Sequence, residues 1–311
     1  MHASRARAFR WVALVLLGLA APACSIRKMA VNSMGDSLAE GGAVFARDDD
    51  PQLIEAAAPF SLKLMESLLE EVPEHQGLLF ATASGFTQYA YGFVEQNAED
   101  LEDTDIAAAE ALRTRARKLY LRARDYGLRG LEVAHEGFEK AIYAHPQEAV
   151  QKAGLEDVRM LYWTACAWGA AISVSKDDPD LIGGLPQVEA LMDRALALDE
   201  KFDSGAIHSF LISYEMSRTT KGGEPEPRAR EHFKRAVELS EGLQAAPYVA
   251  LAESTCVKKN QPDEFKSLLE QALAIDVNAR KEWRLANLVY QRRARRLLAK
   301  IDELFLLPAK D

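Results

Sequence analysis

Three segments in the second half of the chain end alike, and this repetition constrains the fold more than any other feature. They lie at 194–199 (RALALD), 235–240 (RAVELS) and 271–276 (QALAID), spaced by 41 and 36 residues. Each closes a stretch with helical periodicity, and a second helical stretch precedes it. A period of this length, built from paired helices, predicts helical hairpins that stack on one another.

The second helix of each hairpin carries core positions spaced by four and then three residues. This spacing and the period are typical of tetratricopeptide (TPR) repeats, and weaker copies close at Pro73 and Pro146. We predict an all-α fold, a TPR-like α-solenoid that ends in a capping helix within 280–307; an ordinary helical bundle is the alternative. The three clear copies contain Val188, Met192, Ala195; Ala229, Phe233, Ala236; and Phe265, Leu269, Ala272.

The stretch 156–175 has the pattern of a central packing helix and holds two of the four tryptophans. Small residues lie between Trp163 and Trp168, so a neighbouring helix can approach closely on one side. We predict that Trp163 faces an inner or pocket surface and that Trp168 packs against other helices.

The first 23 residues have the pattern of a lipoprotein signal peptide rather than of a folded segment. Three arginines precede a ten-residue apolar run at 11–20, which is too short to span a bilayer, and 21–23 (APA) forms a small-residue cleavage site. Cys24 follows directly, and we predict that its thiol is lipidated and anchors the chain. An ordinary signal peptide with a chance cysteine is the alternative.

This pattern divides the chain into three segments: a signal peptide over 1–23, a lipidated tether over 24–47 and a helical domain over 48–311. Ser25 stands where lipoproteins retained in the inner membrane mainly have aspartate. We therefore predict a membrane-anchored lipoprotein on the periplasmic face, in the outer membrane.

Charge and motif content exclude several functions. Removal of 1–23 takes away three arginines and no acidic residue, so the net charge changes from −9 to −12, which argues against a nucleic-acid partner. The chain contains no HExxH, GxSxG, Walker A, GxGxxG or CxxC motif. We predict that the protein is not an enzyme and has no cofactor and no metal site.

Other features have competing interpretations. Cys166 and Cys256 are expected to be buried free thiols, with a disulfide as the alternative. The loops at 177–187 and 219–227 are candidate functional edges. The arginines of 292–296 (RRARR) are expected to form the solvent face of a terminal helix, with an anion site as the alternative.

Several ordered segments together resemble one family, although each alone is weak. From about Cys24 to Phe305, the chain is similar to the TatT family. This family comprises TPR-containing lipoproteins associated with tripartite ATP-independent periplasmic (TRAP) transporters. It departs from the family at Gly127, where alanine is common, and in a lipobox without leucine. The similar segments are 48–51, 59–60, 88–91, 115–130, 162–163, 168–169, 205–208, 287 and 292–294.

The resemblance implies an all-helical array that can associate into a trimer and dock a substrate-binding P component. It also implies that small, hydrophobic or amphipathic ligands pass between the two. A general envelope scaffold that binds protein segments without ligand transfer is the alternative. Only Cys24 is carried over from the family as a site residue.

The first helices of successive hairpins would line one concave wall, which predicts where a ligand binds. For each predicted ligand-facing residue, the alternative is packing within the interhelix core. For His208 in particular, the alternative is a hydrogen-bonded position in the core. The predicted ligand-facing residues are Tyr162, Trp163, His208, Leu211 and Tyr214, with Glu253 and Asn287 as polar candidates.

Overall fold

The computed structural model describes residues 31–38 and 41–305, and this part of the chain is helical with no β-strand. The predicted all-α class is confirmed. The predicted lipidation site, Cys24, lies outside the described residues. The helices of the first half are α1 (31–38), α2 (Gly42–Ala46), α3 (Pro51–Glu71), α4 (Gln76–Tyr89), α5 (Gln96–Leu101), α6 (Ile106–Ala134), α7 (Phe138–Ala144) and α8 (Pro146–Ala149).

The second half begins with the predicted central helix, and short 3₁₀ turns connect several of its elements. The helices are α9 (Val158–Ser173), α10 (Pro179–Ile182), α11 (Leu185–Leu198), α12 (Ala206–Glu215), α13 (Pro225–Leu239), α14 (Ala246–Leu251), α15 (Val257–Lys259), α16 (Pro262–Ala274), α17 (Arg284–Ala299) and α18 (Ile301–Leu304).

Local sequence explains where the first long helix begins. Asp50 caps α3, and its Oδ1 accepts the amide hydrogens of Gln52 and Leu53 at 3.0 Å. Pro51 occupies the first turn, where its missing amide hydrogen needs no partner. The apolar face of α3 then buries Ile54, Leu62 and other residues against the helices that follow.

Helices pack mainly on their neighbours in the chain. In order, α3 contacts α4, α4 contacts α6, α6 contacts α9, and α9 contacts α11; beyond them α12, α13, α14, α16 and α17 continue the series. The last long helix also contacts α2 and α3. Helix α17 therefore joins the two ends of the series.

The closest approach in this core is between α6 and α9. A Cβ atom on Gly127 would lie 2.2 Å from Thr164 Oγ1, and one on Gly130 would lie 2.3 Å from the terminal methyl of Met160. Two glycines thus allow α6 to lie directly on α9. Leu161 and Ala165, which also lie on α9, are fully buried.

Two helices contain π-helical turns, which sequence patterns did not indicate. Ala90–Glu95 connects α4 to α5, and Ala252–Cys256 connects α14 to α15. Such turns widen a helix by one residue, shift the side chains that follow, and often occur at functional sites. Both turns contribute side chains to the site described below.

Candidate functional site

Three predicted ligand-facing residues of α12 lie in contacts with neighbouring helices. His208 Nδ1 is 2.8 Å from Nδ1 of His232 on α13, so one imidazole donates to the other. Leu211 is 1% exposed, within the main core. The Tyr214 hydroxyl donates to Glu189 on α11 at 3.2 Å. These contacts are those of packing residues.

Asn287, on α17, holds the chain that leads into α14. Its side-chain oxygen accepts the Ala245 amide at 2.9 Å, and its amide group donates to the Leu243 carbonyl at 2.9 Å. The side chain is buried. Its hydrogen-bonding groups are thus engaged with backbone and fix the connection between α13 and α14.

Tyr162 and Trp163 are neighbours on α9, and their side chains contact each other. Their rings meet edge to face with centroids 5.2 Å apart, and Tyr162 also contacts Phe202, at 5.3 Å. Both side chains are partly exposed, whereas Trp168 is 2% exposed and packs against Tyr143. The prediction that Trp168 serves packing agrees with this burial.

Tyr162 belongs to a set of side chains from three helical segments, here called the inner aromatic group: Tyr91, Tyr162, Cys166 and Tyr290. The rings of Tyr91 and Tyr290 lie 5.6 Å apart. Burial raises the pKa of Tyr91 and of Tyr162 well above the ordinary value, and that of the Cys166 thiol to about 12. All four side chains nevertheless keep some exposed surface. The hydroxyl and thiol groups of Tyr91, Tyr162 and Cys166 are thus desolvated by the surrounding helices, although these residues are not fully buried.

A cluster of charges borders this group and joins the N-terminal helices to α17. We call it the closing ion cluster: Glu99, Asp100, Glu253, Arg292, Arg293 and Arg296. Arg293 donates to both oxygens of Glu99 at 2.7 and 2.8 Å and to both oxygens of Glu253 at 2.9 and 2.6 Å. Arg296 also contacts Glu99, and Arg292 contacts Asp100.

The expectation that the arginines of 292–296 form a solvent face is wrong for Arg293. Arg293 is 8% exposed, although Arg295 is exposed as expected. Burial disfavours the charged guanidinium, but Glu253 and the neighbouring acidic groups raise the pKa of Arg293 well above its ordinary value. The carboxylates lie 40 and 194 residues away in the chain, which is why the local pattern did not predict the pairing.

Glu253 was predicted to face the ligand, and it lies at the junction of the cluster with the inner aromatic group. The carboxylate of Glu95 lies nearby, on the first π-helical turn, and accepts the Tyr120 hydroxyl at 2.5 Å. Burial raises the pKa of Glu95, although the hydrogen bond from Tyr120 lowers it. The two π-helical turns thus bring Tyr91, Glu95 and Glu253 to one place.

The loop predicted at 219–227 is anchored to the body of the protein. Arg218 donates to Glu189 at 2.5 Å and to Glu215 at 3.0 Å and also pairs with Asp193. Burial favours the neutral form of Glu215, but hydrogen bonds from Arg228 and Arg218 lower the pKa of this carboxyl. The loop at 177–187 contains α10 and the start of α11.

The remaining predictions concern thiols, metals and membranes. Cys166 and Cys256 are free thiols, as expected. Within 31–38 and 41–305, no three His, Cys, Asp or Glu side chains are grouped so that they could hold a metal ion. Among the described helices, none combines the length and hydropathy that crossing a membrane requires.

Comparison with known proteins identifies the family. The profile of the TRAP transporter T-component family matches residues 47–305, and the chain belongs to this family. Membership implies an accessory role in TRAP transport and confirms the resemblance noted from sequence. A Treponema pallidum (strain Nichols) protein, described as uncharacterized, is 27% identical over 301 residues, which cover 91% of this chain and 93% of that protein.

Proposed function

We propose that this protein is a periplasm-facing lipoprotein accessory of a TRAP-type transport system. In this proposal it binds the substrate-binding P component and holds a small hydrophobic or amphipathic ligand. The family match over 47–305 is the observation that carries the proposal. The signal-peptide pattern and Cys24 support a lipid anchor, and Ser25 favours the outer membrane.

The architecture fits a TPR-like array of helical hairpins. The hairpin α9 and α11, the hairpin α12 and α13, and the hairpin of α14–α15 with α16 correspond to the three predicted repeats. Their contacts with neighbours in the chain are those expected of stacked repeats. We propose a trimeric assembly from the family resemblance alone.

We assign the ligand to the inner aromatic group together with Trp163 and Glu253. The tyrosine rings supply apolar faces and hydroxyl groups, and burial raises the pKa of all three tyrosines. This retains three of the residues predicted from sequence. The contacts of His208, Leu211, Tyr214 and Asn287 support packing roles for those four side chains.

Anchoring is tested by cell fractionation of Cys24→Ala. The variant should accumulate as uncut precursor or leave the membrane fraction, because the acylated thiol is the proposed anchor. Retention of processed variant in membranes after a high-salt wash would contradict the lipoprotein assignment.

Partner binding is tested by cross-linking in intact cells followed by purification of this chain. The P component of the TRAP system should be recovered with it. The alternative, an envelope scaffold that binds protein segments without ligand transfer, predicts recovery of other envelope proteins and no P component.

A further inference from the structure

We propose that four basic residues on the outer side of α6 form a membrane-docking surface that binds the phosphate headgroups of anionic phospholipids. We call it the basic stripe: Arg115, Lys118, Arg122 and Arg129. The inference goes beyond the proposed function, and it uses the proposed anchor at Cys24 only to place the stripe close to a membrane. It depends on the spacing of these residues, on their partners, and on the place where the chain leads toward the anchor.

The four basic residues lie on one side of α6. They are separated by three, four and seven positions, and at about 100° per residue these positions fall within an arc of about 60°. All four are at least partly exposed, whereas Ala116, Ala123 and Gly127 are buried on another side of the helix. The stripe therefore follows α6 for about 21 Å, since a helix rises about 1.5 Å per residue.

The carboxylates beside the stripe already have other cationic partners. Glu66 accepts a hydrogen bond from Lys63 Nζ at 2.5 Å. Asp125 accepts two from the Arg124 guanidinium, at 2.9 and 2.7 Å. These two pairs and the stripe together hold six cations and two carboxylates, a local charge of +4 on a chain whose net charge is −9.

Three residues of the stripe have no anionic partner in the part of the chain that the structure describes. Arg115 donates to the Tyr89 hydroxyl at 3.2 Å, and Arg129 donates to the Pro73 carbonyl at 2.6 Å. Both acceptors are neutral. Lys118 is exposed and makes no hydrogen bond or ion pair with any described residue. These positive charges therefore remain available to an external anion.

The stripe borders an open groove between α3 and α6. The groove has a volume of about 510 Å³, and it is lined by Lys118, Arg122 and Arg129, with Tyr126 between the charges. Arg122 is 47% exposed, although its Nε lies 3.6 Å from Glu66. Guanidinium groups bind phosphate oxygens through paired hydrogen bonds, and an ammonium group binds them as a point charge. The groove thus presents the donors that a phosphate headgroup needs.

The stripe ends where the chain leads toward the proposed anchor. Arg129 binds the Pro73 carbonyl, and His75 Nε2, two positions further on, lies 3.3 Å from the Asn32 carbonyl oxygen. Asn32 lies eight positions after Cys24, and a chain of that length spans at most about 29 Å. An acylated Cys24 therefore holds this end of the stripe near the lipid headgroups.

A lipid surface fits the stripe better than a single small anion does. The charges extend along a line, so that they can meet several headgroups at once. Each lysine or arginine close to an anionic lipid surface strengthens binding about fivefold. In this arrangement α6 lies along the membrane, and α9, which packs on the buried side of α6, lies behind it.

The test uses the whole mature chain, residues 24–311, produced in the cytoplasm without the signal peptide and therefore without acyl groups. Circular dichroism confirms folding. Sedimentation compares vesicles of phosphatidylcholine alone with vesicles that also contain phosphatidylglycerol. The chain should bind the anionic vesicles at least about tenfold more tightly in about 0.1 M salt, and about 0.5 M salt should abolish the difference because it screens the charges.

One side chain of the stripe can be changed without the loss of an internal contact. Lys118→Gln should weaken binding to the anionic vesicles about fivefold, and Lys118→Gln combined with Arg122→Gln about 25-fold. Lys234→Gln is the matched control, because Lys234 is an exposed lysine on α13 without a partner among the described residues. The control makes the same change of charge and should alter binding by less than about twofold.

Equal binding to the two kinds of vesicle would overturn the inference, and so would equal losses in Lys118→Gln and Lys234→Gln. An acidic protein surface is the other partner that this charge could attract. It predicts no binding to either kind of vesicle, and that result would also overturn the inference. These measurements use chain without acyl groups, so their failure leaves the anchor and the TRAP role intact, and fractionation of Cys24→Ala tests the anchor separately.

Discussion

The two faces of α9 differ in what surrounds them. One face carries Tyr162, Trp163 and Cys166, which are partly exposed, although burial raises the pKa of Tyr162 and of Cys166. The other carries Leu161 and Trp168, which are almost completely buried against neighbouring helices. Side chains of similar hydrophobicity on one helix therefore have different surroundings, and the ligand site that we propose lies on the less buried face.

The first prediction compares the two tryptophans of α9. Trp168→Ala should destabilise the protein by about 3–5 kcal/mol, because the indole is buried beside Tyr143 and beneath the Arg124 guanidinium. Trp163→Ala should cost about 1–2 kcal/mol and mainly reduce ligand binding. Denaturant unfolding measures both, and equal losses of stability would contradict the division between the two faces.

The second prediction concerns the closing ion cluster. Arg293→Ala leaves Glu99 and Glu253 without a shared partner and should cost about 3–5 kcal/mol. Arg292→Ala is the matched control; its side chain is 41% exposed and should contribute at most about 1 kcal/mol. Similar losses in thermal unfolding for the two variants would show that the buried pairings do not hold α17 in place.

The third prediction tests the packed side of α9 through a glycine. Gly127→Ala places a methyl group against Thr164 and should cost about 1–3 kcal/mol through overpacking. The double variant Gly127→Ala with Thr164→Ala should recover part of that loss, because it removes Oγ1, the atom nearest to the added methyl, while the Cβ atom at 164 remains 3.0 Å away. If Gly127→Ala alone is as stable as the wild type, the close approach of α6 to α9 is incorrect.

The fourth prediction concerns pH and the paired histidines. Burial lowers the pKa of His208, and burial together with His208 lowers that of His232 to about 4. An unfolded histidine has a pKa of about 6.5, so the unfolded chain binds more protons between these values. The contribution of the pair is therefore complete above about pH 6.5 and declines by about 1–2 kcal/mol as the pH falls toward 4.

Thermal unfolding across this pH range measures the effect. His232→Gln should flatten the dependence, whereas His145→Gln, at an exposed position, should not change it. An unchanged slope in His232→Gln would show that the buried pair does not titrate as described.

Local patterns in the sequence predicted much of the helical structure. Asp50 and Pro51 account for the start of α3, and the spacing of Val188, Met192 and Ala195 predicted the buried face of α11. These signals depend on residues within a few positions of one another. The helical class and the burial of Trp168 followed from them.

The arrangement of the site depended on contacts that no local pattern contains. Arg293 pairs with Glu99 across 194 residues, and its burial follows from the return of α17 to the N-terminal helices. The π-helical turns shift Tyr91 and Glu253 by a fraction of a turn. The same uncertainty in facing explains why Leu211 was predicted to meet a ligand and lies in the core.

The central claim is that the inner face of α9 binds a small molecule, and native mass spectrometry of protein purified from its own envelope tests it most directly. The wild-type chain should carry one additional small mass, which Tyr162→Ala should lose and which Phe60→Ala, changed at a side chain 74% exposed on α3, should keep. A wild-type chain without any additional mass, or a Tyr162→Ala variant that retains it, would contradict the claim.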